Sequence, residues 1–304
     1  MTLSSDRPFG RIAVAMVTPF TAGGALDLDG AQRLATHLVD EGGCDGLVLS
    51  GTTGESPTTS DAEKDSLLRA VLEAVGDRAV ITAGVGTNDT RHTMELARAA
   101  EKAGAHGLLV VTPYYNKPPQ EGLRQHFTAV ADATGLPVML YDIPARAGTA
   151  IATDTLLRLA EHPRIVAVKD AKNDVLAAAR VLGATDLRYY CGADEFNLPL
   201  AALGAVGVVS VVGHVLGVRI REMLDAYEDG RVAEAARLNQ RLAPAVTGIM
   251  TRTQGVIATK AALGMVGLPG GPVRPPLADA DPDLAAAIAA DLRAAGLEVA
   301  VKAA

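Results

Sequence analysis

IVAVKDAKND, Ile165 to Asp174, runs from four apolar residues directly into a lysine followed by an aspartate. A short unbroken run of this kind, rich in Ile and Val, reads as a strand covered on both faces, as in a parallel sheet. Its last residue is the anomaly. Lys169 carries an ammonium that is costly to take out of water. A lysine just past a strand ordinarily reaches solvent or pairs with a carboxylate, and Asp170 is adjacent. In an apolar pocket the alternative is a lowered pKa and a free amine able to attack a carbonyl.

The same kind of run recurs along the chain. IAVAMV (12–17), GLVLS (46–50), AVITAG (79–84), GLLVVT (107–112), PVMLYD (137–142), LRYYC (187–191) and VGVVSVV (206–212) join IVAVK (165–169) to make eight expected strands. Amphipathic segments lie between them. SDAEKDSLLRAVLEAV opens with Ser60 and Glu63 at capping-box spacing. RHTMELARAAEKAG closes on Gly104, as a helix C-terminus does. EGLRQHFTAVADATG and ATDTLLRLAEH repeat the pattern. Eight strand–helix units predict a (β/α)8 TIM barrel of the α/β class, with an open doubly wound sheet as the alternative, since one sequence does not reveal strand order. From about Val232 the pattern turns all-helical. The expected division is a barrel catalytic domain over 1–231 and a C-terminal helical appendage over 232–304.

Composition narrows the function. The chain has 304 residues and is 49% hydrophobic, but only 3% aromatic with no tryptophan, so its core is aliphatic. A formal charge of -7 without a long basic run argues against nucleic acid as a partner. Two cysteines, Cys44 and Cys191, provide no disulfide framework. The first twenty residues hold only a short apolar run broken by Pro19, and no signal peptide is expected there. Phe196 to Leu216 lacks Asp, Glu, Lys and Arg, yet Asn197, Pro199, His214 and several glycines break it, so a short helix and a buried strand explain it better than a membrane span. A cytoplasmic location is expected.

Active sites of this barrel type lie at the C-terminal ends of the strands. Four segments collect there: SGTTGES (50–56), TPYYNKPP (112–119), YDIPARAG (141–148) and Lys169. SGTTGES offers glycines, backbone N–H groups and the hydroxyls of Thr52 and Thr53 to an anion, although an ordinary turn uses the same residues. It is not a P-loop, because no Gly-Lys-Ser/Thr follows. Tyr114, Tyr115 and Tyr141 are packing residues or, with tuned phenols, proton carriers. Arg146 can clamp a carboxylate or sit in a surface ion pair. The six histidines are scattered, and no His/Asp/Glu set has metal spacing, so neither a metal nor another cofactor is expected.

GTTGES, TPYYNKP, YDIPARAG and the strand-borne VKDA occur here in this order, and together they resemble the dihydrodipicolinate synthase / N-acetylneuraminate lyase family. The likeness runs from AMVTPF near the start through the helical tail. It implies a homo-oligomeric, most often tetrameric, class I aldolase that condenses pyruvate with L-aspartate 4-semialdehyde to 4-hydroxy-tetrahydrodipicolinate, the first committed step toward diaminopimelate and lysine. By the same resemblance Lys169 forms the Schiff base, and Tyr141 moves protons through Thr52 to Tyr115 of an adjacent subunit. Thr53 holds the pyruvate carboxylate and Arg146 the semialdehyde carboxylate, while Gly192 and Val209 line the pyruvate pocket with backbone carbonyls. Asp142 departs from the pattern, since many relatives have Asn there. Sister enzymes cleaving 2-keto sugar acids, and a non-catalytic pyruvate-binding barrel, are the rival readings. The resemblance also places a lysine-inhibitor site near Ser56 to Lys64 and Asn88 to His92. There, His92 in place of a carboxylate and Lys64 in place of a histidine or acidic group predict weak or absent inhibition.

Overall fold

A computed structural model of the chain describes residues 6–300. Eight strands, β1 (Ile12–Ala15), β2 (Gly46–Leu49), β3 (Val80–Gly84), β4 (Gly107–Val111), β5 (Val138–Asp142), β6 (Ile165–Asp170), β7 (Arg188–Cys191) and β8 (Gly207–Ser210), close into a barrel in chain order. Every neighbouring pair is parallel. The pairing of Ile12 with Val208 joins the first strand to the last and excludes the open sheet. Apolar residues occupy both faces of these strands because lumen and helix layer each cover one face, which explains the continuous hydrophobic runs.

The outer helices are α1 (Leu28–Asp40), α2 (Asp61–Val75), α3 (Thr90–Ala103), α4 (Gln120–Asp132), a short α5 (Pro144–Ala147), α6 (Thr153–Leu159), α7 (Val175–Ala184), α8 (Asn197–Ala202) and α9 (Gly213–Glu228). The expected capping box is present: the Ser60 hydroxyl accepts from the Glu63 N–H, and the Glu63 carboxylate accepts from the Ser60 N–H at 2.8 Å. Gly104 closes α3 in the left-handed region at φ 96°, where a side chain is disfavoured. Three further helices follow, α10 (Val232–Val246), α11 (Gly255–Met265) and α12 (Pro282–Ala294). They pack on one another and on α9, burying Leu242, Leu263 and Leu292. No helix among the described residues is long and apolar enough to cross a membrane.

Register decides what faces the lumen. Tyr141 pairs with Lys169, and Asp142 with Asp170, across β5 and β6. Paired residues of adjacent parallel strands project to the same side, so one pair enters the barrel and the other the helix layer. β8 ends two residues earlier than the run VGVVSVV suggested. The N–H groups of Val211 and Val212 donate to the Asp194 carboxylate at 2.8 and 2.9 Å and leave the ladder.

Candidate active site

Lys169 is 4% exposed at the end of β6, with its Nζ 4.2 Å from the centre of the Tyr141 ring. Burial pulls the ammonium down to about 8, while the Asp194 carboxylate opposes the fall. Asp170, the nearby carboxylate that offered an ordinary explanation for this lysine, is occupied elsewhere. It accepts from the backbone N–H groups of Lys172 and Asn173 at 3.0 and 3.1 Å. Lys169 is therefore a desolvated amine against an aromatic face, with its pKa brought close to neutrality.

Gly192 has a steric reason to be glycine. A Cβ there would lie 2.8 Å from Cγ and 2.9 Å from Cε of Lys169, so the lysine stem occupies the space of the missing side chain. Val209 is wholly buried in β8. Asp194 joins the segment after β7 to the end of β8: besides Val211 and Val212 it accepts from the Asn197 amide at 2.9 Å and from the Ser210 hydroxyl.

Tyr141 closes the floor of a cavity of about 320 Å³ that also touches Thr52, Tyr114 and Arg146. Burial pushes the Tyr141 phenol up to about 12, partly offset by the charge of Arg146 and by the neighbouring Thr52 hydroxyl. Arg146 stands on α5, exposed, with its guanidinium on the cavity and no ion pair among the described residues. Its positive charge acts on both Tyr141 and Lys169. The site therefore joins an amine, a phenol and a guanidinium, without a carboxylate to neutralise the last.

The SGTTGES loop follows β2 with Ser50 and Glu55 at φ 53° and 55°, left-handed values unusual outside glycine. Thr18 donates its hydroxyl to the Gly54 carbonyl at 2.6 Å, and the Glu55 N–H closes on the Thr52 carbonyl at 3.1 Å. Thr53 is buried beneath this turn. Gly84 and Gly86, in the GxG of AGVGTND, are explained by packing. Cβ atoms there would fall 2.6 Å from the Ser50 carbonyl oxygen and 2.4 Å from the Val111 nitrogen. Gly84 lets β3 approach the loop, and Gly86 lets the segment after β3 approach β4.

Residues far apart in sequence thus converge, with one exception. Lys169, Tyr141, Thr52 and Arg146 share the cavity or its electrostatics; Gly192, half-buried, packs against the Lys169 stem, while Thr53 and Val209 are buried. Tyr115 does not join them. It is 89% exposed at φ 73°, pointing away from its own barrel. Sequence reasoning missed Glu55, Gln254, Pro276 and Leu277, all on the cavity wall. It also missed the buried pair of Asp142 and Lys172 at 3.1 Å, which gives the aspartate after Tyr141 a partner. Two of the six histidines are buried: His126 on α4, and His214, whose Nε2 accepts from the Val17 N–H at 3.0 Å. Among the described residues no three His, Cys, Asp or Glu side chains are grouped to hold a metal ion.

Residues 8–295 match the Dihydrodipicolinate synthetase family. The chain belongs to this family. It is 67% identical over 289 residues to the 4-hydroxy-tetrahydrodipicolinate synthase of Acidothermus cellulolyticus, covering 95% of this chain and 93% of that protein. Identity to 4-hydroxy-tetrahydrodipicolinate synthase 2 of Streptomyces coelicolor is 62% over 298 residues, covering 98% and 99%. Among solved structures, dihydrodipicolinate synthase from Cyanidioschyzon merolae with lysine bound superposes with a TM-score of 0.92 at 40% identity, over 95% of this chain and 99% of that one. The family resemblance carried by the four strand-end motifs and the closed barrel therefore agree.

Proposed function

We propose that this protein is a Schiff-base aldolase that joins pyruvate to L-aspartate 4-semialdehyde and yields 4-hydroxy-tetrahydrodipicolinate. The observation that carries the proposal is Lys169: an amine buried at a barrel strand end, with its ammonium lowered to about 8, lying over Tyr141. A free amine attacks the ketone carbon of pyruvate, and loss of water leaves an imine. Protonated, that imine withdraws electrons, so a methyl proton can depart and the resulting enamine carbon attacks the aldehyde; the amino group of the semialdehyde then displaces Lys169 from the imine carbon, which closes the ring and frees the amine. The phenol of Tyr141, with Thr52 beside it, is positioned to carry a proton during condensation, to the aldehyde oxygen as it becomes a hydroxyl. Imine formation needs no metal, because the iminium itself is the electron sink.

The unpaired Arg146 favours a second substrate that brings its own carboxylate, since a bidentate guanidinium–carboxylate pair orients as well as binds. A 2-keto sugar acid presents hydroxyls there instead. Thr53 and the loop amides are assigned to the pyruvate carboxylate, and Gly192 and Val209 to the pocket wall. Tyr115, strained and exposed, is assigned to the relay of a neighbouring subunit, which makes the active form a dimer at least and, by the family pattern, a tetramer. The protein is assigned to the cytoplasm. Side-by-side assays test the substrate. Turnover of pyruvate with aspartate semialdehyde, and none with sialic acid in the cleavage direction, is the expected result; the reverse overturns the proposal.

A further inference from the structure

Glu55 lies two residues beyond Thr53 in the SGTTGES loop, and its carboxylate is bound by the C-terminal part of the chain. One oxygen is 2.6 Å from the Nζ of Lys260 on α11, both side chains being almost wholly buried, at 1% and 2% exposure. The other accepts from the backbone N–H of Arg274 at 2.8 Å. Lys260 also donates to the Pro272 carbonyl at 2.7 Å and lies 4.2 Å from the ring centre of Phe20. Arg274 lies 4.1 Å from the same ring, and its guanidinium donates to the carbonyls of Gly24 and Thr58 and to the Glu63 carboxylate. Four segments distant in sequence meet at one point behind the loop.

Two observations give this cluster a role beyond stability. Glu55 adopts a left-handed backbone at φ 55°, a conformation that a non-glycine residue keeps only where its surroundings hold it. A buried ion pair adds little net stability over an apolar pair of the same shape, but its geometry is specific. The same C-terminal region supplies Gln254, Pro276 and Leu277 to the cavity wall, whereas Lys260 itself is not on that wall. We infer that Glu55 and Lys260 are positioning residues. Their ion pair fixes the loop that carries Thr52 and Thr53, so that the C-terminal helical region sets the affinity of the site for its small keto-acid substrate.

This inference rests on the proposed assignment of the loop to the pyruvate carboxylate, and its test separates the two. Glu55→Gln keeps the shape and Lys260→Met removes the cation from outside the cavity; the double variant leaves no unpaired buried charge and serves if either single one fails to fold. Hydrogen exchange of the full-length protein without substrate reads the loop directly. Peptides spanning 50–58 are expected to exchange on the order of tenfold faster, with the β5 and β6 peptides unchanged. In turnover, KM for pyruvate is expected to rise about tenfold while kcat stays within about threefold, as for lost ground-state binding. The double variant is expected to equal either single one, since each removes the same pair. Unchanged exchange over 50–58, or a kcat loss with KM intact, overturns the inference. If the unmodified protein forms no imine with pyruvate, the aldolase reading fails, and the exchange result alone decides whether the pair holds the loop.

Discussion

The hydroxyl of Tyr141 is chemically separable from its ring. Tyr141→Phe retains the aromatic face under Lys169 and removes only the phenol, so imine formation with pyruvate is expected to survive while condensation falls by roughly 10²-fold or more, the usual range for a lost acid–base group. Stopped-flow imine formation beside steady-state turnover checks the split; equal losses in both contradict it. Lys169 sets the pH dependence. Its folded value, about 8, is below the ordinary 10.5, so the free amine is the minor form at lower pH and the major form above 8. The rate of imine formation is expected to climb about tenfold per pH unit below 8 and level off above it. A plateau reached by pH 6, or a climb continuing through pH 10, counts against this environment. Lys169 was legible in sequence because a charge ending an apolar run is a local anomaly. Glu55 and Lys260 were not, because each is unremarkable beside its neighbours and they meet only across 205 residues of chain.

Helix α2 shows what a short segment specifies by itself. Its N-terminus was readable as Ser60 and Glu63 because the capping box is a local exchange of hydrogen bonds. Ser60→Ala is expected to cost about 1 kcal/mol in chemical denaturation and to leave pyruvate binding unaltered. The first turn also carries Lys64, where the family resemblance puts a lysine-inhibitor site. Lys64 is half-buried and donates its ammonium to the Thr59 carbonyl, and burial lowers its pKa; His92 on α3 pairs with Asp61 at 2.9 Å. Asp61 thus places a carboxylate beside His92, although one already engaged. A cation near the side chain of a bound lysine, about 4 Å away, costs on the order of 1 to 4 kcal/mol. Half-inhibition above about a millimolar, measured at fixed ionic strength, is therefore expected, and half-inhibition well below it means the site tolerates Lys64 and His92. The strands were legible as apolar runs, and the start of α10 as the turn to an all-helical pattern at Val232. The end of β8 was not, because Val211 and Val212 continue the apolar run while Asp194, from the preceding loop, captures their N–H groups.

At the scale of the whole molecule, barrel closure was a choice between topologies that the pairing of β1 with β8 resolves. Convergence of the four strand-end motifs on one rim followed from that choice, since parallel strands end on one side. Assembly is less legible, because a residue working in another subunit is recognisable only by what it fails to contact. The proposal gives Tyr115 that part, and Tyr115→Phe is then expected to lower kcat more than it raises KM for pyruvate. Full activity of a monomer established by sedimentation contradicts the shared relay. The central claim is that Lys169 is the Schiff-base nucleophile. The most direct measurement is intact and peptide mass spectrometry after incubation with pyruvate and borohydride. One reduced pyruvate adduct per chain, mapped to Lys169 and lost in Lys169→Ala, is the expected result; an adduct on Lys172, or none on a folded protein, contradicts the account.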